Sequence, residues 1–487
     1  MENFKKKLLY TKAFKVGGKY LRGLSRPTAV EAFLKKFDKK NLLLLLKWGI
    51  FVIIPLLILT PEIRIFSPAI RLDEVVLLFL VIIYGLYKLK VKKIRVSVVD
   101  YLFAALFSSV VVSIAFSYIR EGGGFYFGDA FELAKIIKYY LLYRILFIIN
   151  WKRGDLSRVI RVVVISFVLS VSFSFFQYFN IFDVNNNLMQ YFTKPYHIRV
   201  ILNAGRVVGT FKNANSWALV LGLPLFYIFA TLISKLENKG NHIKEGMALL
   251  FFLFVVLTSG IMTMGRTATV ANSISLFIIS FALWFFPYKK IGKPRIAKEI
   301  FLVFSIFTIM SVMAFAFVTY IPNKKGTMTI LDRFDAGFQE MGLVEEDVGA
   351  SYQSWSSRVV KWGDVLRRSA ESPIFGYGPS KSPESPDKLD YIVDNEYLLY
   401  FYRYGLLGLV LYLGLFGIFI YYGVINLKNT IINIDVEFMI NIVALGLSIS
   451  YPLFNILAGS FYDFQLFPLY IIFNALNIYI LNKHEKK

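Results

Sequence analysis

Residues 42–60 read LLLLLKWGIFVIIPLLILT, nineteen positions in which Lys47 is the only charge. A helix rises about 1.5 Å per residue, so a segment of this length spans close to the roughly 30 Å of a bilayer's hydrocarbon core. Comparable apolar stretches recur near 73–90, 98–118, 130–149, 159–179, 216–234, 247–265, 268–287, 300–321, 405–427, 437–456 and 464–482. None alternates apolar and polar residues as a barrel strand would, and backbone N–H and C=O groups cannot be left bare in hydrocarbon. The pattern therefore predicts an all-α polytopic membrane protein with about 12 transmembrane helices.

Composition agrees. The chain has 487 residues, of which 56% are hydrophobic, and its mean hydropathy is +0.57. A soluble domain would be about 45–50% apolar. The formal charge of +23 would suggest nucleic acid in a soluble protein, but here the cations flank the apolar runs, as the positive-inside rule and anionic headgroups require. No aromatic-interleaved basic groove is present, and nucleic acid is excluded as a partner. The absence of cysteine excludes disulfides, thiolate metal sites and a cysteine nucleophile. His197, His242 and His484 are too dispersed for a metal site, so neither metal nor other cofactor is expected.

Charge also orients the chain. Residues 1–41 form a basic segment expected in the cytoplasm, too long in its charged region for a cleavable signal, with Ala29 to Phe37 able to lie on headgroups as an amphipathic helix. Lysine and arginine then cluster after the second, fourth and eighth spans, at Lys92, Lys152 and Lys290 for example. Residues 42–321 hold spans one to nine, 322–404 form one large extracytoplasmic loop, and 405–487 hold the last three spans. Both termini are expected in the cytoplasm. Asn180 to Asn215 is a second outer loop, and loops this long are usually functional. Ser380 to Lys388 reads as a polar turn stretch and Gly122-Gly123-Gly124 as a flexible turn.

The large loop carries Arg358, Trp362, Pro373-Ile374-Phe375-Gly376-Tyr377-Gly378, Asp394-Asn395 and, nine residues further, Gly405-Leu406-Leu407-Gly408. This series resembles the signature of the O-antigen ligase and polymerase family. Arg206-Val207-Val208-Gly209-Thr210-Phe211-Lys212-Asn213-Ala214-Asn215 is similar to a second family segment, with Ala214 replacing the usual proline, and Gly265-Arg266-Thr267-Ala268 to a third. Ligases usually carry histidine where this chain has Asp394, and Asp-Asn-Glu-Tyr is the more familiar form in polymerases.

The resemblance implies a GT-C-like membrane glycosyltransferase acting on the outer face of the cytoplasmic membrane without metal. Its donor would be a growing glycan on a polyprenyl pyrophosphate, its acceptor a lipid-linked repeat unit, and the transfer would invert the anomeric centre. Membrane lipids, a chain-length regulator and a flippase are the further partners implied. Ligation of the glycan to lipid A core or protein is the nearby alternative, and transport of a lipid-linked glycan is the alternative from another class.

The residues independently suit that chemistry. Arg206, Arg266, Arg358 and Asp394 fall at one membrane face in the expected topology, and a charge held at membrane depth costs about 2.5–3.5 kcal/mol on insertion scales. Arginine offers a planar fork matched to phosphate oxygens. Asp394 would accept the acceptor's proton, Arg206 and Arg266 would steady the departing pyrophosphate, and Arg358, Asn395, Glu396, Tyr377, Asn213 and Asn215 would bind substrate. Each has a simpler reading: Arg266 snorkelling, Arg206 steadying Asp183, Arg358 pairing with Asp364, and Asp394 capping the helix that follows it. Glu132, Lys135 and Lys138 share a helix face and either pair or line a cavity.

Overall fold

The computed structural model describes residues 38–61, 71–91, 96–121, 126–193, 198, 206–237, 243–291, 295–320, 352–379, 389, 393–430, 434–459, 463 and 465–484. Residues 1–37 of the basic tail, with the Ala29 to Phe37 stretch, the Gly122 to Gly124 turn, His197, His242 and the Ser380 to Lys388 stretch lie outside them. The described residues are helical, with no strand among them. In chain order the helices longer than four residues are α1 (Lys39–Leu59), α2 (Leu72–Lys90), α3 (Val98–Glu121), α4 (Phe127–Ile148), α5 (Arg153–Tyr178), α6 (Ala214–Val220), α7 (Gly222–Glu237), α8 (Ile243–Met262), α9 (Arg266–Ile291), α10 (Arg295–Tyr320), α11 (Tyr352–Ser369), α12 (Glu396–Thr430), α13 (Val436–Asn455) and α14 (Leu466–His484).

Each of the twelve expected spans falls on a helix, with α6 and α7 together making the sixth. Ten are long and apolar enough to cross a membrane. The other two, α2 and α4, are helices of spanning length that carry more charge. Their charges are matched across the bundle: Lys138 of α4 meets Glu74 of α2 at 2.8 Å, and Arg144 of α4 donates to both Asp100 oxygens of α3 at 3.1 and 3.0 Å. Lys135 pairs with Glu132 at 3.1 Å. Pairing removes the penalty of bare charge, so these helices stay inside the bundle despite their composition.

At the centre, α13 packs on α7, α9, α12 and α14, and α14 also packs on α4 and α12. Both are buried along most of their length. Asparagines join them: the Asn477 side-chain oxygen accepts from Asn426 of α12 at 2.6 Å and from Asn441 of α13 at 2.8 Å. Lipid gives no hydrophobic reason for helices to associate, so buried amide bonds of this kind act as interhelical glue. The exposed apolar side chains of α9 and α10, among them Phe277, Phe281, Phe301 and Val312, form an outward surface suited to lipid.

The expected tenth span, 405–427, lies within a longer helix. α12 starts at Glu396, nine residues earlier, and passes through a break at Gly405, whose φ of 63° and ψ of −169° are not helical. Only glycine adopts that backbone freely.

Candidate active site

Proline and glycine explain how the large loop is anchored. In the Pro373 to Gly378 turn, Gly376 and Gly378 have φ of 70° and 72°. The turn docks on the α12 break backbone to backbone: Tyr377 N–H donates to the Tyr402 carbonyl at 2.9 Å, Gly378 N–H to that of Arg403 at 2.8 Å, and Leu406 N–H to that of Pro373 at 2.8 Å. A methyl group on Gly405 would overlap the Ile374 carbonyl oxygen. Ser113 of α3 seals the join, donating to the Arg403 carbonyl at 2.5 Å and accepting from Gly378 N–H at 3.0 Å. Helix breaks expose backbone groups that need partners, and here turn and break satisfy each other.

That clamp sets α11 beside the start of α12. Arg358 donates from Nε to Asp394 Oδ2 at 2.8 Å, with both side chains partly exposed. The expected alternative partner, Asp364, pairs instead with Arg367 and Arg368. Nor is Asp394 the helix cap, because the Asn395 side chain takes the Leu398 N–H at 3.0 Å. Glu396 is buried and lies against Gly459. Tyr377 belongs to the loop core: one face stacks on Tyr402, the Arg120 guanidinium lies 4.0 Å over the ring, and the hydroxyl donates to Glu371 and the Arg368 carbonyl. Its ring has no open face for a sugar in this arrangement.

A second cluster forms where the Arg206 segment meets the turn between α8 and α9. Arg206 donates from Nε to the Thr263 carbonyl at 2.7 Å and from Nη2 to Asn215 Oδ1 at 2.9 Å. Asp183, its expected partner, accepts from Asn180 and Asn186. Asn213 caps α6 by accepting the Ser216 N–H at 2.7 Å. Gly265 is pressed against Ala218 and within reach of Asn215, so Arg266, exposed at the start of α9, stands at the same corner as Arg206. From Arg266 an apolar cleft of about 530 Å³ runs between α6 to α10, past Leu221, Val256, Leu276, Phe307 and Phe315.

Residues 248–413, from α8 into α12, match the family model described as O-antigen ligase. That match supports the O-antigen ligase and polymerase family. No curated protein matches the chain. The ligase-family region contains Arg266, Arg358, Asp394, Asn395 and Glu396, while Arg206, Asn213 and Asn215 precede it. With the apolar helices, the family points to a multi-pass membrane enzyme of lipid-linked glycans.

One buried carboxylate beside the Arg206 cluster carries no signal in the sequence. Asp463, between α13 and α14, is 2% exposed, accepts from Ser216 Oγ at 2.6 Å and from the amides of Gln465 and Leu466, and lies 3.5 Å from Lys212 Nζ. Burial alone would raise its carboxyl, but Lys212, the Ser216 hydroxyl and the two amides outweigh burial and hold it below the usual carboxylate value. Gln465 in turn donates to the Leu57 and Thr210 carbonyls. The 206–216 segment is thus tied to α1 and α14. A lone Asp before the last span has no sequence signal of its own; only its position under Lys212 gives it weight.

Proposed function

We propose that this protein polymerises polyprenyl-pyrophosphate-linked oligosaccharide repeats into a surface polysaccharide, as an inverting, metal-independent glycosyltransferase of the outer face of the cytoplasmic membrane. The observation that carries the reading is the apolar cleft that ends at Arg266, beside Arg206. A long prenyl chain requires an apolar channel, and a pyrophosphate at its end requires fork-shaped cations. Cleft and cations meet in the order that such a ligand presents them.

In the proposed transfer, the acceptor hydroxyl oxygen attacks the donor's anomeric carbon from the side opposite the pyrophosphate. A carbon–oxygen bond forms there as the bond to the pyrophosphate oxygen breaks, and the leaving group departs with the bonding pair. Arg206 and Arg266 stabilise the charge that develops on it. The hydroxyl proton passes to a carboxylate, for which Asp394 is the assigned group, with Glu396 the next in line. Arg358 orients Asp394, and Asn395 fixes the first turn of α12.

The experiment is incubation of purified protein with a defined lipid-linked repeat unit. A ladder of chain lengths supports polymerisation. The matched family model is described as a ligase, which makes single transfer to a lipid A core or protein acceptor the second reading; one product of that kind and no ladder would establish it. Movement of the substrate across vesicles with no new glycosidic bond would replace both with transport.

A further inference from the structure

Helix α11 sorts its side chains by direction. Trp362 and Val365 pack into the loop core with Tyr377, Val393 and Tyr402, and Arg358 turns to Asp394. The remaining face bears Val359, Val360, Gly363, Leu366 and Ala370, all exposed, with Val360 at 72% and Val359 and Leu366 at 48% each. Positions 359, 363, 366 and 370 follow the four-three-four spacing of one helical face. A water-facing side of a loop helix should be polar, yet this one, Arg367 apart, is apolar and uncovered among the described residues.

The patch does not stop at the helix. Ile374, 58% exposed, extends it through the turn. Leu407 N–H donates to the Ile374 carbonyl and Phe375 stacks on Phe116 of α3. Exposed Leu406, Leu407 and Val410 of α12 and Phe116 and Ile119 of α3 therefore continue the same surface onto the membrane-spanning bundle. Cations accompany it: Arg367, 79% exposed and paired with Asp364, projects between Gly363 and Val360, and with Arg368, Glu371, Tyr377 and Tyr402 it lines a polar cavity of about 400 Å³. Arg120 reaches the other side of Tyr377.

We infer that α11 lies in the headgroup layer of the bilayer leaflet at this end of the bundle, with Val359, Val360 and Leu366 in the lipid and the Arg367–Arg368 cavity on a phospholipid phosphate. An interfacial helix buries its apolar face about 5–10 Å into the headgroup and acyl boundary while its cations meet phosphate. Continuity with the lipid-facing flank identifies the occupant as phospholipid, and the inference stands whatever glycan the enzyme transfers.

The chain has no cysteine, so single cysteines at Val360, Leu366 and, on the side of the helix turned away from Val359, Gly363 and Leu366, Lys361 can each carry a bimane probe in full-length protein in nanodiscs. Phospholipid with a nitroxide at carbon 5 should quench the probes at 360 and 366 several-fold more than aqueous iodide does, and the order should reverse at 361. Iodide quenching at 360 and 366 without nitroxide quenching overturns the inference, as does protection from both quenchers, which would mean a protein covering. In detergent, short-chain phosphatidylglycerol should shift the emission at 360 where inorganic phosphate does not, and Arg367→Gln with Arg368→Gln should remove that shift. An equal response to inorganic phosphate would reassign the cavity to free phosphate and overturn the headgroup assignment.

Discussion

Arg358 and Asp394, 36 residues apart, are joined by a 2.8 Å hydrogen bond from Nε to Oδ2, while the neighbouring Asn395 caps α12. Sequence alone left Asp394 with two roles, cap and base, and the structure gives the cap to its neighbour. Asp394→Asn should therefore leave thermal stability nearly unchanged, since a partly exposed ion pair is worth about 0–1 kcal/mol. Turnover should fall about 100- to 10,000-fold if Asp394 is the base. Polymer synthesis at near wild-type rate by the well-folded variant would pass the role to Glu396.

Asn395→Ala separates cap from chemistry in the other direction. Losing the cap should cost about 1 kcal/mol of stability, read as a lower melting temperature, with a smaller effect on turnover than Asp394→Asn. A larger loss of turnover would show that Asn395 touches substrate.

Arg206 and Arg266 share the corner around Asn215. Lysine at 266 keeps the charge but loses the fork, so Arg266→Lys should already reduce turnover. For Arg206→Ala or Arg266→Ala, loss of a charged hydrogen bond of about 1.5–3 kcal/mol predicts roughly 10- to 150-fold weaker binding of pyrophosphate-bearing donor. Free glycan should bind as before. Equal losses for the two ligands would assign the arginines to folding.

Asp463 is buried beneath Lys212 and held below the usual carboxylate value. A depressed folded-state pKa stabilises the fold above the unfolded value near 4 and is lost as pH falls through the folded value. Asp463→Asn should lower stability by about 1–3 kcal/mol. The gap to wild type should stay constant from pH 8 to pH 5 and close only in stronger acid. A gap that closes between pH 7 and pH 5 would contradict the assigned direction.

Topology can be read with single cysteines. An impermeant maleimide should label a cysteine replacing Asn186 in intact cells, and one replacing Lys239 or Lys290 only after permeabilisation. Surface labelling at 290 would invert the proposed arrangement.

The sequence by itself determined where the helices lie, because a span is a local property: about 20 apolar residues satisfy their own backbone and suit the bilayer wherever they occur. It also marked Arg206, Arg266, Arg358 and Asp394, since charge and glycine spacing remain visible in a one-dimensional pattern. The tertiary structure decided everything that depends on a distant partner. It carried α12 back to Glu396, because the break at Gly405 is closed by the Pro373 to Gly378 turn and not by its own neighbours. It kept α4 in the bundle by matching Lys138 to Glu74 and Arg144 to Asp100. It turned Tyr377 into loop core and set Asp463 under Lys212, a pairing across about 250 residues that no local spacing encodes. Desolvation makes each such charge or ring depend on the group that faces it, and what faces it is fixed only when the helices pack.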